Sequence, residues 1–233
     1  MNRIASVMVM HSRSRGSWFL TPLFVLSSGF TICLLIALSI HVFWSNNIPV
    51  YTGALATIYI VMVNQGAISV TSTFPFAVGF SVRRRDYLLG TLAMAAAVSA
   101  AFAILLMLFS LIEINLIPHW GLGLHFFHPP YFSDGSPLQQ FWVYFVVMLF
   151  MYLLGFVPGT IYYRFGRAGM YVFFALAFLL LSFFLLASSY WSWWGNIFGW
   201  FVQQGAFGVT WWMLPLMGCF ALVSYALLRK ATV

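Results

Sequence analysis

Four charged side chains stand together at positions 83–86, and their types suit them to hold another molecule. The run is Arg83, Arg84, Arg85 and Asp86, and it contains four of the thirteen Asp, Glu, Lys and Arg residues in this chain of 233. Guanidinium groups bind acidic or backbone-lined grooves and lipid headgroups. Such a run needs water, because one arginine at the centre of a bilayer costs about 2.5–3.5 kcal/mol. The sequence therefore predicts an exposed connection here.

The residues before this run predict a bend in the chain. Pro75 lacks a backbone donor and can end a helix, and Gly79 permits a sharp change of direction. We expect a second short helix to begin near Ser81, with Asp86 as a candidate cap for the helix that follows. We call residues 74–90 the elbow. Its candidate contact residues are Phe74, Pro75, Phe76, Gly79, Arg83, Arg84, Arg85 and Asp86.

A second group of polar residues lies in the stretch 117–138. His119, His125, His128 and Asp134 are possible metal ligands, but their spacing matches no compact ligand pattern. We therefore expect interfacial histidines in an outer loop and no metal site. Glu113, just before the loop, is expected to be structural or simply solvated.

Motifs for catalysis are absent from the sequence. There is no G-x-x-x-x-G-K-[ST] loop for nucleotide phosphates, no H-E-x-x-H and no G-x-S-x-G. We expect no catalytic residues and no cofactor held by this chain. Asn64 and Gln65 lie midway along an apolar stretch. They are interpreted either as lining a cavity or as forming a hydrogen bond between helices.

Composition sets the class of protein. Hydrophobic residues make up 63% of the chain and charged residues 6%, whereas soluble domains have about 25% charged residues. The sequence predicts a polytopic membrane protein. The net charge of +7 does not indicate nucleic-acid binding, because the few basic residues punctuate apolar runs instead of forming a face.

The expected fold is all-α, with the whole chain 1–233 as one transmembrane domain. A short interfacial helix is expected near the N-terminus and a half-inserted helix within 191–205. The motif Gly155-x-x-x-Gly159, with Pro158 inside it, predicts a kink at a close helix contact. Six membrane spans are predicted, at about 20–44, 50–73, 87–116, 141–163, 169–190 and 210–228.

The distribution of basic residues agrees with six spans. All ten Lys and Arg residues then fall on one side of the membrane, in the segments 1–17, 82–86, 164–167 and 229–233. Basic residues are retained on the cytoplasmic side, so both termini are expected there. Arg164 and Arg167 form the second cytoplasmic loop in this arrangement.

The elbow resembles the junction of the second and third spans in bacterial type-2 ABC transporter permeases, chiefly the small six-span type. The resemblance rests on Phe74-Pro75-Phe76, Gly79, Ser81 to Tyr87, Leu89-Gly90-Thr91 and the Arg164 to Arg167 loop. It implies a permease in the bacterial plasma membrane that dimerises and pairs with separate cytosolic ATP-binding subunits, which hold ATP and Mg²⁺. The elbow would be the coupling helix seated on the ATPase.

The resemblance implies an exporter, and the apolar spans suggest an apolar or amphipathic cargo such as a drug, lipid or peptide. The chain has no large outer domain of the kind found in larger members. A different class of function stays open beside it: a membrane scaffold or immunity-type protein that binds a partner without transport.

Overall fold

The computed structural model describes residues 3–13, 16–44, 49–80, 82–129 and 135–229. Asp134, Lys230 and most of the predicted break at 45–49 lie outside these residues. The described chain is almost entirely helical, which confirms the all-α prediction. Its helices are α1 (Arg3–Arg13), α2 (Thr21–Trp44), α3 (Ala56–Gly79), α4 (Arg84–Asn115), α5 (Pro137–Tyr190) and α6 (Trp194–Arg229).

Short elements connect the helices. A π-helical turn at Gly16–Leu20 precedes α2, and a 3-10 turn at Pro118–Gly121 follows α4. Two-residue strands, β1 (Val50–Tyr51) and β2 (Leu124–His125), pair in parallel with Val50 opposite Leu124. The strand pair joins the connection after α2 to the connection after α4.

Within the described part of the chain, four helices are long and apolar enough to cross a membrane: α2 from its preceding turn, α4, α5 and α6. The helix α3 also has 24 residues, but Asn64, Gln65 and the polar run Thr71–Thr73 make it less apolar than those four. These features are those of a membrane protein, as the composition predicts.

The longest helix, α5, is broken at Gly166. A straight helix of 54 residues would be roughly 80 Å long, far more than a bilayer core of about 30 Å. Gly166 has φ 66° and ψ −158°, a conformation suited to glycine. A Cβ placed on Gly169 would lie 3.6 Å from Ile161 Cγ2, although residues eight apart in a straight helix are roughly 12 Å apart. The chain therefore folds back at this point, and the predicted loop at 164–167 is a single non-helical residue.

The helix α6 is broken in the same way at Gly205, which has φ 61° and ψ 176°. The rings of Trp200 and Trp212 lie 5.9 Å apart on either side of the break. In a straight helix these two residues would be separated by roughly 18 Å. The helical segment before Gly205 coincides in sequence with the predicted half-inserted helix.

The two helices with the largest mutual contact are α3 and α5, and glycines make that contact possible. A Cβ on Gly155 would overlap the carbonyl oxygen of Val63, and a Cβ on Gly66 would overlap that of Tyr152. A Cβ on Gly159 would lie 2.9 Å from the carbonyl oxygen of Ala67. The close helix contact predicted from Gly155-x-x-x-Gly159 is confirmed, and its partner is α3.

Candidate functional site at the elbow

The elbow comprises the end of α3, the start of α4 and the short connection between them. Pro75 does not end α3, which continues to Gly79. Ser81, where a second short helix was expected to begin, lies outside the described residues, and α4 begins at Arg84 and runs for 32 residues. Phe74 and Ala77, on either side of Pro75, are fully buried. Their packing keeps the chain helical past the proline, so the expectation that Pro75 ends a helix was wrong.

The first turn of α4 is also arranged differently from the prediction. The N-cap position is Arg83, in an extended conformation, and no side chain caps it. Asp86 lies in the first turn, where a negative charge interacts favourably with the positive end of the helix dipole. Asp86 thus contributes through the dipole and does not occupy the cap position.

The outer surface of the elbow combines charge with aromatic rings. Arg83 and Arg85 are exposed, and so are Phe76 (66%) and Phe80 (80%). A basic, aromatic surface of this kind suits an acidic protein groove with an apolar floor, because arginine and aromatic side chains are common anchors of protein interfaces.

Arg84 is used differently from its two neighbours. Its Nη1 donates hydrogen bonds to the carbonyl oxygens of Leu228, at 3.1 Å, and Arg229. These are among the last carbonyls of α6, which have no partner within the helix and lie at the negative end of its dipole. Arg84 therefore fastens α4 to the C-terminal end of α6.

Beneath the elbow, a buried polar network connects three helices. Tyr87 Oη on α4 lies 2.9 Å from both the Ser69 carbonyl oxygen and Thr73 Oγ1 on α3. Ser69 Oγ lies 2.7 Å from Tyr152 Oη on α5. Phe74 packs edge-on against Tyr87, with ring centroids 5.0 Å apart. The base of the elbow is thereby bound to α3, α4 and α5.

The N-terminal helix α1 packs beside the same corner. His11 is fully buried, and its Nε2 lies 3.0 Å from Thr91 Oγ1 on α4. The His11 ring also meets Trp18 edge-on at 5.1 Å. Burial lowers the pKa of His11 to about 4, so the imidazole is neutral at pH 7.

An open cavity of about 340 Å³ lies between α1 and the elbow, and its lining is mostly apolar. Val7 and Met10 line it from α1, and Ala77, Phe80 and Val82 line it from the elbow. The predicted interfacial helix is thus a packed part of the corner.

The other basic turn lies at the same end of the helices. Phe74 and Tyr163 pack edge-on at 4.9 Å, which places the Gly166 turn near the elbow. Arg167 is exposed, and the Arg164 guanidinium lies 4.7 Å from the centre of the Phe165 ring. The described arginine side chains therefore gather at one end of the molecule: Arg83, Arg84, Arg85, Arg164, Arg167 and Arg229.

Asn64 and Gln65 are separated by the helix on which they lie. Gln65 is buried, on the face of α3 that carries Gly66 and Ser69 toward α5, whereas Asn64 is exposed. Gln65 suits the interpretation as a contact between helices.

Sequence reasoning missed the specific partners that hold this corner together. It grouped the three arginines and did not single out Arg84, which donates to the end of α6. It also did not connect His11 with Thr91. The spacing of Ile4, Val7, Met8 and His11 on one helical face was a signal for the docking of α1, but no signal named α4 as its partner.

Comparison of the chain with protein-family models, with curated proteins and with solved structures finds no match.

Proposed function

We propose that the chain is the membrane subunit of an ATP-driven exporter, with ATP and Mg²⁺ held by a separate cytosolic subunit seated on the elbow. The observation that carries the proposal is that the three adjacent arginines make different contacts. Arg83 and Arg85 are presented outward, while Arg84 binds the end of α6. A subunit that moved the outer pair would act on several helices at once.

The mechanism follows from these connections. The elbow is continuous with α3 and α4, Arg84 joins it to α6, and the Tyr87 network joins it to α5. ATP binding that closes two ATPase subunits would displace the elbows and shift the helices between inward-facing and outward-facing arrangements. The cargo we propose is apolar or amphipathic, such as a drug, a lipid or a peptide.

The proposed topology has six membrane crossings in the bacterial plasma membrane, with both termini in the cytoplasm. The breaks at Gly166 and Gly205 give α5 two long segments and leave α6 one long segment after a short one. The described arginine side chains lie at a single end, as the retention of basic residues on the cytoplasmic side requires. Membrane lipids then surround the exposed apolar faces.

A second permease subunit, identical or related, is part of the proposal. Asn64 is an exposed amide midway along α3, on a face shared with the exposed Ile60 and Ile68. An amide facing lipid alone would leave its donors and acceptor unsatisfied. The same face of a second subunit offers a polar partner.

Co-purification with the cytosolic ATPase tests the proposal. We expect the double variant Arg83→Ala/Arg85→Ala to retain less than about a tenth of the ATPase bound by the unmodified chain, because interface arginines are often dominant contacts. ATP-dependent transport in proteoliposomes should fall in parallel. The matched control is Arg164→Ala/Arg167→Ala, which removes the same charge at the same end of the molecule.

Equal retention of the ATPase by both double variants would contradict the role of the elbow. A chain that purifies with no ATPase, and moves no cargo when mixed with one, would favour the membrane scaffold or immunity-type function instead.

A further inference from the structure

The connection between α4 and α5 brings together three residues that come from three different structural elements. Glu113 comes from the last turns of α4, His119 from the 3-10 turn and His125 from β2. Each offers one ligand atom, and these atoms all lie within 4.8 Å of one another. The ring centroids of the two histidines are 3.9 Å apart. The sequence spacing gave no sign of this cluster, because a turn and a strand pairing are needed to form it.

Glu113 is held rigidly. Its side chain is fully buried, and Oε1 accepts a hydrogen bond from the Phe126 N–H at 3.1 Å. Oε2 accepts bonds from the Phe127 N–H at 2.8 Å and from Trp120 Nε1 at 3.0 Å. A carboxylate has about four acceptor positions. Three are used within the described part of the chain, so Oε1 keeps one for another ligand.

His119 has a ring nitrogen that is available to bind a ligand. Its Nδ1 is buried, and no hydrogen-bond partner for it exists among the described residues. A buried ring nitrogen without a partner costs free energy. Coordination through this nitrogen would remove that cost.

The backbone around His119 is strained in a way that serves the cluster. His119 (φ 49°) and Trp120 (φ 60°) both have left-handed conformations, which are uncommon for residues other than glycine. Strain of this kind persists where the surrounding structure enforces it, often at ligand-binding positions. Here the left-handed turn carries the His119 ring that lies close to His125, and the His125 ring also stacks on Tyr51 with centroids 4.6 Å apart.

We propose that Glu113, His119 and His125 bind a divalent transition-metal ion, with Zn²⁺ the best match. Two imidazoles and one carboxylate are a common ligand set for zinc, with water in the fourth tetrahedral position. The ion would join the end of α4 to the connection that follows it. Glu113 lies roughly 44 Å along α4 from Arg84, so this site is at the opposite end from the elbow. The proposal does not depend on the exporter function.

Zinc titration of the purified full-length chain tests the site. The chain is isolated in detergent through an affinity tag without histidine, treated with chelator, and titrated with Zn²⁺ by calorimetry. We expect one ion per chain. Binding should weaken by at least about tenfold in His119→Ala and in His125→Ala, since each loses a direct ligand. Co²⁺ substitution should give the visible absorption of a tetrahedral site.

The matched control is His128→Ala. His128 lies on the same connection, but its Nδ1 is engaged with Ser110 Oγ at 3.1 Å, outside the cluster. This variant should bind Zn²⁺ as the unmodified chain does. Equal weakening in the control, or no stoichiometric binding by the unmodified chain, would overturn the proposal.

A second measurement covers the case in which a histidine variant does not fold. Hydrogen exchange of residues 118–129 in the unmodified chain should slow when Zn²⁺ is added and recover when it is chelated. Unchanged exchange at saturating Zn²⁺ would also overturn the proposal.

Discussion

The two ends of α4 place their charged residues in opposite environments. At the elbow, Arg83 and Arg85 point into solvent, and the buried contacts are made by neutral groups such as Tyr87 and Thr91. At the far end, the charge of Glu113 is fully buried, and the backbone of the connection folds around it. One end exposes charge and packs neutral residues, whereas the other buries charge and exposes part of its loop.

This difference indicates what each end can do. An exposed basic surface on a rigid base can dock a partner and be moved by it, because its charges do not hold the fold. A buried carboxylate with three donors organises the local backbone, so removing it should disturb structure first. Substitutions at the two ends should therefore differ in which property they change, and the expected effects can be ranked.

The largest effect is expected from Glu113→Ala. The truncation leaves two buried backbone donors and the part-buried Trp120 Nε1 without their acceptor, and each buried donor so left costs about 1–3 kcal/mol. We expect a loss of about 3–5 kcal/mol in the free energy of unfolding, with rapid hydrogen exchange at Phe126 and Phe127. Denaturant titration in detergent measures the first and mass spectrometry the second.

Asn115→Ala is the control for Glu113. Asn115 is exposed in the same turns of α4, and its Nδ2 donates to the Leu111 carbonyl within the helix. It should change stability by less than about 0.5 kcal/mol. If both variants lose the same stability, Glu113 does not organise the connection.

Arg84→Ala should have the next largest effect. It removes hydrogen bonds from a cation to two carbonyls at the end of α6, and bonds to charged groups contribute about 1.5–3 kcal/mol when buried. Because Arg84 is half-buried, we expect about 1–2 kcal/mol. Fraying of the last turn of α6 should appear as faster amide exchange there.

Arg84→Lys sharpens this prediction. A lysine keeps the favourable charge near the helix end but lacks the planar donor group of arginine. We expect it to recover part of the stability. Full loss in Arg84→Lys would show that the geometry of the guanidinium matters more than its charge.

The sequence predicted the all-α class and the long apolar helices well and the contacts between helices poorly, and the reason is physical. Apolar runs interrupted by basic residues mark helices and their ends, because lipid excludes charge locally along the chain. The glycines at 155 and 159 predicted a close helix contact because residues without a Cβ let two backbones approach each other. Neither pattern identifies the partner across space, as the α3 surface at Gly66 shows.

Glu113 shows the limit most clearly. In sequence it resembles an ordinary polar residue at a helix end, and we expected solvation or a structural role. Its burial depends on a turn with two left-handed residues and on the pairing of β1 with β2. Such features are set by tertiary packing and leave no periodic pattern. Pro75 failed as a helix stop for a similar reason, since buried neighbours outweighed its local preference.

After the effect of Arg84→Ala, the next largest effect is expected from changing the pH, through the titration of His11. Its pKa is about 4 when docked and about 6.5 when solvated, so lowering the pH favours the undocked helix. The stability from its neutral form is present above pH 6.5 and falls progressively toward pH 4. At pH 5.5 the docking equilibrium of α1 should weaken by about tenfold relative to pH 7.5. Amide exchange in α1, corrected for intrinsic rates, measures this change.

His11→Gln is the control for titration. Glutamine does not titrate, and its amide nitrogen can replace Nε2 as the partner of Thr91. The docking of α1 in this variant should not depend on pH between 5.5 and 7.5. A pH response as large as that of the unmodified chain would assign the effect to another group.

The smallest effect on stability is expected from Arg83→Ala/Arg85→Ala. Both side chains are exposed, and substitutions of such residues commonly change the free energy of unfolding by less than about 0.5 kcal/mol. Removing two like charges beside Arg84 also relieves some repulsion, which opposes any loss. Denaturant titration should therefore give nearly the same curve as the unmodified chain, although binding of the ATPase is expected to fall strongly. A destabilisation as large as that of Arg84→Ala would erase the distinction among the three arginines. The exposed pair would then belong to the fold, and the elbow would have no surface reserved for a partner.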